Sequence, residues 1–262
     1  MRIMTRIALA VSAAALAASL GAANAQETLK IGTEGAYPPF NNLTADGKLE
    51  GFDIDIANAL CDEMKVKCEF VTQDWDGIIP ALQAGKFDAI IASMSITDER
   101  KQKVDFTQKY YNTPSAIAGP KDSDLKGVTK EDLAGKTIGV ATSTTHFNYA
   151  TQTFTDSEIK GYPTSQEFLL DLANGRLDAV EDDVSVLEEW LKTSDGACCK
   201  IIGQPAPQPV EIFGEGAGIA VRKGETGLVE KFNAAIKAIR ANGKYKEIND
   251  KYFGFDVYGA ES

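Results

Sequence analysis

Short apolar segments with strand character alternate along this chain with segments whose apolar residues recur at helical spacing. The first set comprises a strand beginning at Leu29, a helix over 52–61, a strand over 67–72, a helix over 75–83 and a strand over 88–92. A helix over 97–104 follows, with Thr97 in the N-cap position. This alternation is typical of βαβ units, so it predicts an α/β fold with mainly parallel sheets flanked by helices.

A second set of the same kind lies further along the chain. It comprises strands over 136–141 and 177–180, a helix after Thr144 and a helix over 165–172. A strand over 216–222 and an amphipathic helix over 228–241 come afterwards. If this last pair packs on the first set, the chain crosses between two α/β units twice.

The N-terminus has the pattern of a secretory signal peptide. Arg2 and Arg6 form a positive region, residues 7–20 are apolar, and Ala23-Asn24-Ala25 is a cleavage pattern. An uncleaved membrane anchor is the alternative, but this apolar stretch is shorter than the roughly 20 residues that span a bilayer. We therefore expect cleavage after Ala25 and a mature protein in the periplasm.

The charge of the chain bounds its partners. Removing residues 1–25 takes away two arginines and no acidic residue, so the formal net charge changes from −11 to −13. A negative excess of this size repels nucleic acid and anionic lipid. We predict a globular protein that does not bind nucleic acid.

The four cysteines fall into two pairs. Cys61 and Cys68 lie seven residues apart, between a predicted helix and the following strand, and an oxidising compartment favours a disulfide there. Cys198 and Cys199 are adjacent. For these two, free buried thiols, a vicinal bridge and an intermolecular link all stay open.

The motifs of common enzyme classes are missing from the sequence. His146 is the single histidine, and the chain has neither a CxxC nor an HExxH motif. Gly135-Lys136-Thr137 resembles the end of a phosphate loop, but Lys130 stands where the loop needs a glycine. We therefore expect no enzyme activity, no cofactor and no metal.

Polar residues do cluster where the predicted strands end, which is where open α/β sheets bind ligands. These clusters are residues 33–40, 93–100, 142–146 and 181–183. Two of them lead into helix N-termini, which together with an arginine suit a carboxylate. Acidic and hydroxyl groups suit an ammonium, and aromatic rings suit an apolar or cationic side chain. We infer a site for a zwitterion.

Several segments taken in order resemble the polar amino-acid solute-binding proteins of ABC transporters. These segments are TEGAYPPF, GFDIDIANALC, WDGIIPAL, DAIIASMSITDER, IGVATSTT, LANGRLDAVEDD, GIAVRK and GKYKEINDKYFGFDVYG. The similarity is greatest to the lysine/arginine/ornithine- and histidine-binding branch, with local similarity to opine binders. It implies a two-lobed periplasmic binding protein fold joined by a two-strand hinge. The expected lobes are 26–111 with 217–262 and 116–207, with hinges near 112–115 and 208–216.

The resemblance also implies roles for individual residues. Arg100 would bind the α-carboxylate of the ligand, helped by the backbone at Ser95 and Thr145. Asp183 would bind the α-ammonium, with the Ser93 and Ser95 hydroxyls as further acceptors. The side chain would lie between Tyr37 and Trp75, with Glu34 at its distal end, and Cys61 and Cys68 match the disulfide pair of the family. Glu181 and Asp182 are more readily interpreted as solvated or structural.

Three positions depart from the pattern of that branch. Glu34 replaces a shorter aspartate, Ala92 replaces a serine, and His146 stands where glutamine is typical. A protonated His146 facing the cleft would repel a cationic ligand. With these changes the site still has an acid opposite a distal cation of the ligand, but the exact identity of the ligand stays open.

The resemblance implies a monomeric capture protein that delivers an amino acid to membrane permease subunits of an ABC importer. The expected ligand is cationic: arginine, lysine, ornithine or histidine. The alternatives are an opine or another polar amino acid, and a dehydratase-type enzyme on the same fold, for which His146 with Glu34 is the one candidate acid/base pair. A sensor role would require a separate partner protein.

Overall fold

The computed structural model describes residues 26–259, so the predicted signal peptide lies outside the described residues. The strands are β1 (Thr28–Thr33), β2 (Ala36–Tyr37), β3 (Asn41–Leu43), β4 (Leu49–Glu50), β5 (Lys67–Thr72), β6 (Ala89–Ile90), β7 (Val104–Tyr111), β8 (Ser115–Pro120), β9 (Thr137–Ala141), β10 (Glu158–Tyr162), β11 (Ala179–Asp183), β12 (Cys199–Gly203) and β13 (Ala217–Arg222). The helices are α1 (Phe52–Met64), α2 (Ile78–Gln83), α3 (Asp98–Lys101), α4 (Thr145–Thr153), α5 (Ser165–Ala173), α6 (Val184–Leu191), α7 (Val210–Phe213), α8 (Thr226–Ala241) and α9 (Lys244–Tyr252). Two 3-10 turns, Trp75–Gly77 and Asp195–Cys198, complete the described elements.

Two five-stranded sheets have the same topology. Their strand orders are β5-β1-β6-β13-β7 and β10-β9-β11-β8-β12. In each sheet four strands run parallel, and the fourth in the order, β13 or β8, is antiparallel to its neighbours. That antiparallel strand is the one by which the chain arrives from the other sheet. The chain therefore passes between the sheets twice, and the prediction of a two-lobed α/β fold with mainly parallel sheets is confirmed.

Each sheet is packed with apolar side chains on both faces, as parallel sheets require. One pair of clusters packs on the first sheet and the other pair on the second. The central strands have matching glycines: a Cβ on Gly32 would lie 2.5 Å from the Phe87 ring, and one on Gly139 would lie 2.5 Å from Leu177. Both glycines therefore admit a large side chain from the loop before β6 or β11. We call each sheet with its helices the first and the second lobe.

Several elements differ in length from the prediction: α1 runs three residues further, to Met64, and the predicted helix over 75–83 is a 3-10 turn followed by α2. Strand β6 is two residues long, and α3 ends at Lys101 because Val104 pairs with Arg222 at the start of β7. Strand β11 runs on to Asp183, since its last residues pair with Ser115–Ile117 of β8. At the end of α3 and at the end of β11, a pairing partner distant in the chain overrides the local pattern.

The two connections between the lobes are unlike each other. Residues 112–114 join β7 to β8 directly, whereas the connection before β13 contains the short helix α7. Pro209 precedes this short helix and Gly214, with a φ of 80°, ends it. The Gln208 amide exchanges two hydrogen bonds of 2.9 Å with the Ser115 backbone, which ties one connection to the other.

Both cysteine pairs are bonded. Cys61 in α1 is joined to Cys68 in β5, as predicted. Cys198 and Cys199 form a vicinal bridge at the start of β12, which settles the alternatives left open by the sequence.

Candidate functional site

The carboxyl ends of three parallel strands in each lobe face one another across a cleft. In the first lobe, β1, β5 and β6 end just before Glu34, Trp75 and Ser93. In the second lobe, β9, β10 and β11 end at the start of α4, α5 and α6. Loops at this edge of a sheet are free to carry side chains because they take no part in the strand pairing.

All ten residues predicted for the site line a single cavity between the lobes. They are Glu34, Tyr37, Trp75, Ala92, Ser93, Ser95, Arg100, Thr145, His146 and Asp183. Six further residues line it: Ala141, Thr144, Pro163, Thr164, Ser165 and Asp182. The empty space is about 510 Å³, part of it open to solvent. This is within the range of roughly 300–1,000 Å³ for small-molecule sites.

The guanidinium of Arg100 is buried in the wall of the cavity. Nη1 donates to the Ser95 carbonyl at 3.0 Å, and Nη2 donates to the Ser143 carbonyl of the second lobe at 3.1 Å. Its carbon lies 5.2 Å from the centre of the Trp75 ring. Burial lowers the pKa of Arg100 to about 10, so the group keeps its charge at neutral pH. Among residues 26–259 no carboxylate forms an ion pair with it, which leaves a buried cation in need of an anion.

The N-terminus of α4 lies beside this cation. The Thr144 hydroxyl caps the helix by accepting from the Phe147 N–H at 3.0 Å. Thr145 is the first helical residue, so its N–H has no acceptor within the helix. Ser143 adopts the left-handed conformation, with a φ of 60°, and this turn presents its carbonyl to Arg100. A helix N-terminus next to a guanidinium suits a carboxylate.

Asp183 provides an anionic group on the opposite wall. Its Oδ2 lies 3.0 Å from the Tyr37 hydroxyl of the first lobe, whose single proton it shares with Asp182 Oδ1 at 2.6 Å. Burial raises the pKa of Asp183 to about 6, while the nearby His146 opposes this rise and the Asp182 carboxylate adds to it. The carboxylate is therefore mostly ionised at neutral pH and suits an ammonium.

Ser93 is held in the left-handed region, with a φ of 57°, by a buried network. Its hydroxyl donates to Asp53 Oδ2 at 3.0 Å, and its N–H donates to the Tyr110 hydroxyl at 3.0 Å. Asp53 also accepts from Asn41, whose Oδ1 accepts from the Gly35 N–H. The network fixes the loop after β6 relative to the loop after β1, and the Ser93 oxygen still has a free lone pair as an acceptor.

Glu34 is half-buried, and no hydrogen bond or ion pair from the described residues engages its carboxylate. Burial, together with the charges of Asp182, Asp74 and Asp76, raises the pKa of Glu34 to about 7. An acid in this setting is stabilised in its charged form by any cation that enters the cavity.

His146 lies between the cavity and the connection that precedes β8. Nδ1 is 3.2 Å from the Ser115 hydroxyl, and Nε2 is 3.8 Å from Asp182 Oδ1 and 3.7 Å from Asp183 Oδ1. Glu181, buried completely, accepts from the same Ser115 hydroxyl at 2.9 Å. This arrangement gives no activated nucleophile, because the serine donates its proton to the glutamate and not to the imidazole.

The sequence interpretation missed part of the lining. Asp182, interpreted from the sequence as solvated or structural, is 2% exposed and lines the cavity. The segment Pro163 to Ser165 was overlooked, although it follows β10 and Thr164 caps α5. The rule that polar residues at strand ends line the site applies to this segment too, so the rule would have identified the segment from the sequence.

The lining as a whole joins a subsite for an anion to a region that is rich in acidic side chains. Arg100 and the α4 N-terminus favour one carboxylate, whereas three lining carboxylates, Glu34, Asp182 and Asp183, favour positive charge. The cavity therefore suits a small molecule with one anionic and two cationic groups. Within residues 26–259, no group of three or more acidic, histidine or cysteine side chains is arranged to hold a metal ion.

Comparison with known proteins agrees with this chemistry. The model of the family "Bacterial extracellular solute-binding proteins, family 3" matches residues 29–255. An L-arginine-binding protein of Pseudomonas aeruginosa is 50% identical over 98% of this chain and 100% of its own length. A lysine/arginine/ornithine-binding periplasmic protein of Escherichia coli is 39% identical over 89% of this chain and 90% of its own. The solved structure of an ancestral arginine-binding protein bound to arginine has a TM-score of 0.80 at 41% identity and covers 87% of this chain and 99% of its own.

Proposed function

The chain belongs to the bacterial extracellular solute-binding proteins, family 3, and from this we propose that it binds an α-amino acid with a cationic side chain, arginine first, for delivery to an ABC importer. The observation that carries the proposal is the charge of the cavity: one buried guanidinium faces three carboxylates. A zwitterion uses one cation and one anion of this set, which leaves two carboxylates for a distal cation. The similarity to arginine-binding proteins supports the same ligand class.

The contacts suggest one orientation for the ligand. The α-carboxylate lies against Arg100 and the backbone N–H groups at Ser95 and Thr145. The α-ammonium lies against Asp183, with the Ser93 oxygen as a further acceptor. The side chain then runs between the rings of Tyr37 and Trp75, where a cation is attracted to the ring faces.

The remaining predicted residues have narrower roles in this proposal. Glu34 pairs with the distal cation, and its raised pKa is consistent with a buried carboxylate that has no cation beside it in the free protein. Ala92 leaves room beside the side chain where a serine would add a polar contact. His146 borders the α-group end and is held there by its contact with Ser115.

Ligand contacts from both lobes provide the means of closure. Arg100, Trp75 and Glu34 belong to the first lobe, whereas Thr145 and Asp183 belong to the second. A ligand that touches both has more contacts in the closed form and shifts the population toward it. We propose lobe boundaries of 26–111 with 217–262 and 116–207, with hinges at 112–115 and 208–216, and the membership of the strands in the two sheets supports this division.

We assign the protein to the periplasm, as the names of its relatives indicate for them. Residues 1–25 would be its cleaved signal peptide, and the closed monomer would dock on permease subunits. Among the described residues, no helix is both long and apolar enough for a membrane span.

Calorimetry with a ligand panel tests the proposal. The protein is unfolded and refolded to remove carried ligand, then titrated with arginine, lysine, ornithine and histidine and, as controls, with glutamate and leucine. We expect arginine to bind most tightly and the two controls not to bind. Tight binding of glutamate or leucine, with no binding of the four cationic ligands, would refute it.

A second cavity favours a second candidate, an amino acid substituted on its α-nitrogen, as in opines. This cavity shares Ser93, Ser95, Thr145, His146 and Asp183 with the first and extends toward α7. A substituent on the nitrogen held by Asp183 could enter it. Competition between arginine and octopine for the refolded protein distinguishes the candidates, since tighter binding of octopine would favour the second.

A further inference from the structure

Asp182 is a buried cavity-lining acid whose hydrogen bonds all come from neutral groups. It is 2% exposed and stands next to last in β11. Oδ1 accepts from the Tyr37 hydroxyl at 2.6 Å and from the Asp183 N–H at 2.8 Å, and Oδ2 accepts from the Ser165 hydroxyl at 2.5 Å. A carboxylate oxygen can accept two hydrogen bonds, so Oδ2 has capacity for one more donor.

No lysine or arginine in residues 26–259 pairs with this carboxylate. The nearest basic group is His146 Nε2, at 3.8 Å from Oδ1, and the same nitrogen lies 3.7 Å from Asp183. The imidazole also stands 3.9 Å from Glu181. One histidine shared by Asp182 and Asp183 cannot compensate both carboxylates, and a buried charge without a partner is costly.

Asp182 shares its surroundings with Glu34 across the cleft. After burial, the charge of Asp182 is the largest cause of the raised pKa of Glu34. Two carboxylates that repel each other through a cavity are both relieved by a cation placed between them. Glu34 comes from the first lobe and Asp182 from the second, so such a cation would also join the lobes.

We propose that Asp182 determines specificity, acting with Glu34 to select a positively charged distal group over a neutral group of the same shape. The inference rests on the proposed function and extends it, because it explains the choice of ligand charge by a residue outside the predicted set. A guanidinium suits this role, since its planar fork of five N–H donors can reach two acids at once.

The test compares arginine with citrulline, in which a neutral urea replaces the guanidinium at nearly the same shape. The variant Asp182→Asn keeps the shape of the side chain and removes its charge. We expect calorimetry to show a roughly 10- to 100-fold loss of affinity for arginine, the range for a hydrogen bond to a charged group. Affinity for citrulline should change by less than about threefold, because no charge pairing is lost.

The matched control is Glu181→Gln. Glu181 precedes Asp182 in the same strand and is fully buried, but it lies outside the cavity lining. Burial raises the pKa of Glu181 well above its usual range, and its carboxyl accepts from the Ser115 hydroxyl outside the cavity, so the substitution leaves the cavity lining unchanged. The arginine-to-citrulline ratio of this variant should equal that of the wild type.

An unchanged ratio of arginine affinity to citrulline affinity in Asp182→Asn would overturn the inference. If both affinities fell equally, Asp182 would only position Tyr37 and Ser165. If that variant does not fold, Asp182→Ser, which retains a hydroxyl for the same two partners, gives the same comparison. Failure of the proposed function has a different signature: the wild type itself would not prefer arginine to citrulline.

Discussion

The indole N–H of Trp75 donates to the carbonyl oxygen of Ser143 at 3.1 Å, and this hydrogen bond spans the cleft between the lobes. The Arg100 guanidinium donates to the same oxygen at 3.1 Å and lies near the indole ring. One carbonyl thus receives two donors from the opposite lobe. The residue proposed to stack on the ligand side chain and the one proposed to bind its carboxylate are therefore also contacts of the closed form.

Trp75→Phe should separate the two roles of the indole. The ring face is kept, while the hydrogen bond to Ser143 is lost, and a neutral bond of this kind contributes about 0.5–1.5 kcal/mol. We expect calorimetry to show a roughly 2- to 10-fold weaker affinity for arginine. The control is Trp190→Phe. Trp190 lies in α6 and outside the cavity lining, so this variant should bind arginine like the wild type. Wild-type affinity in Trp75→Phe would mean that the bond does not contribute to closure.

Arg100→Ala should abolish most binding, because the buried cation is the main partner of the α-carboxylate. We expect a loss of at least about 10- to 100-fold in calorimetry, with the circular dichroism spectrum unchanged. Lys101→Ala removes a neighbouring cation of α3 that pairs with Glu215 outside the cavity, so it should leave affinity unaltered. Retained micromolar affinity in Arg100→Ala would contradict the assigned carboxylate contact. Asp183→Ala tests the ammonium contact in the same way.

Binding of arginine should weaken as the pH falls from 8 to 5. The pKa of Glu34 is about 7 in the free protein, and a bound cation favours its charged form, so binding below this pH must displace a proton. Each displaced proton weakens affinity by up to about tenfold per pH unit. Titrations in two buffers of different ionisation enthalpy measure the released proton directly.

Glu34→Gln should remove the upper part of this pH dependence. The pKa of Asp183 is about 6, so the slope that persists in the variant should appear only below about that pH. An identical pH profile in the variant and the wild type would exclude Glu34 as the titrating group.

Replacing both cysteines of the Cys61–Cys68 bridge by serine should destabilise the protein by about 2–3 kcal/mol, the chain-entropy value for so short a loop. Urea unfolding measures this loss. The same change at Cys198 and Cys199 is the control, because a bridge between adjacent residues closes almost no loop and should contribute much less. Equal losses from the two pairs would contradict the loop-length argument.

Local patterns were sufficient to predict most of the secondary structure. Strand β5 and helix α5 have nearly the predicted bounds, since apolar spacing and cap residues are local properties. Two of the boundaries that differ are ones at which pairing with a distant strand decides the outcome. Val104 leaves its helix to pair with Arg222, and β11 extends to Asp183 along a strand that arrives from the other lobe.

The sequence by itself determined the fold class, the resemblance to a family and the residue types of the cavity, because strand ends and cap residues are readable from the order of amino acids. Only the tertiary structure decided what each acid does. Glu181, Asp182 and Asp183 are consecutive in the chain, yet one is buried behind the cavity and the other two line it. The reason is that the partners that hold these three carboxyl groups, Ser115, Ser165 and Tyr37, come from segments distant in the chain.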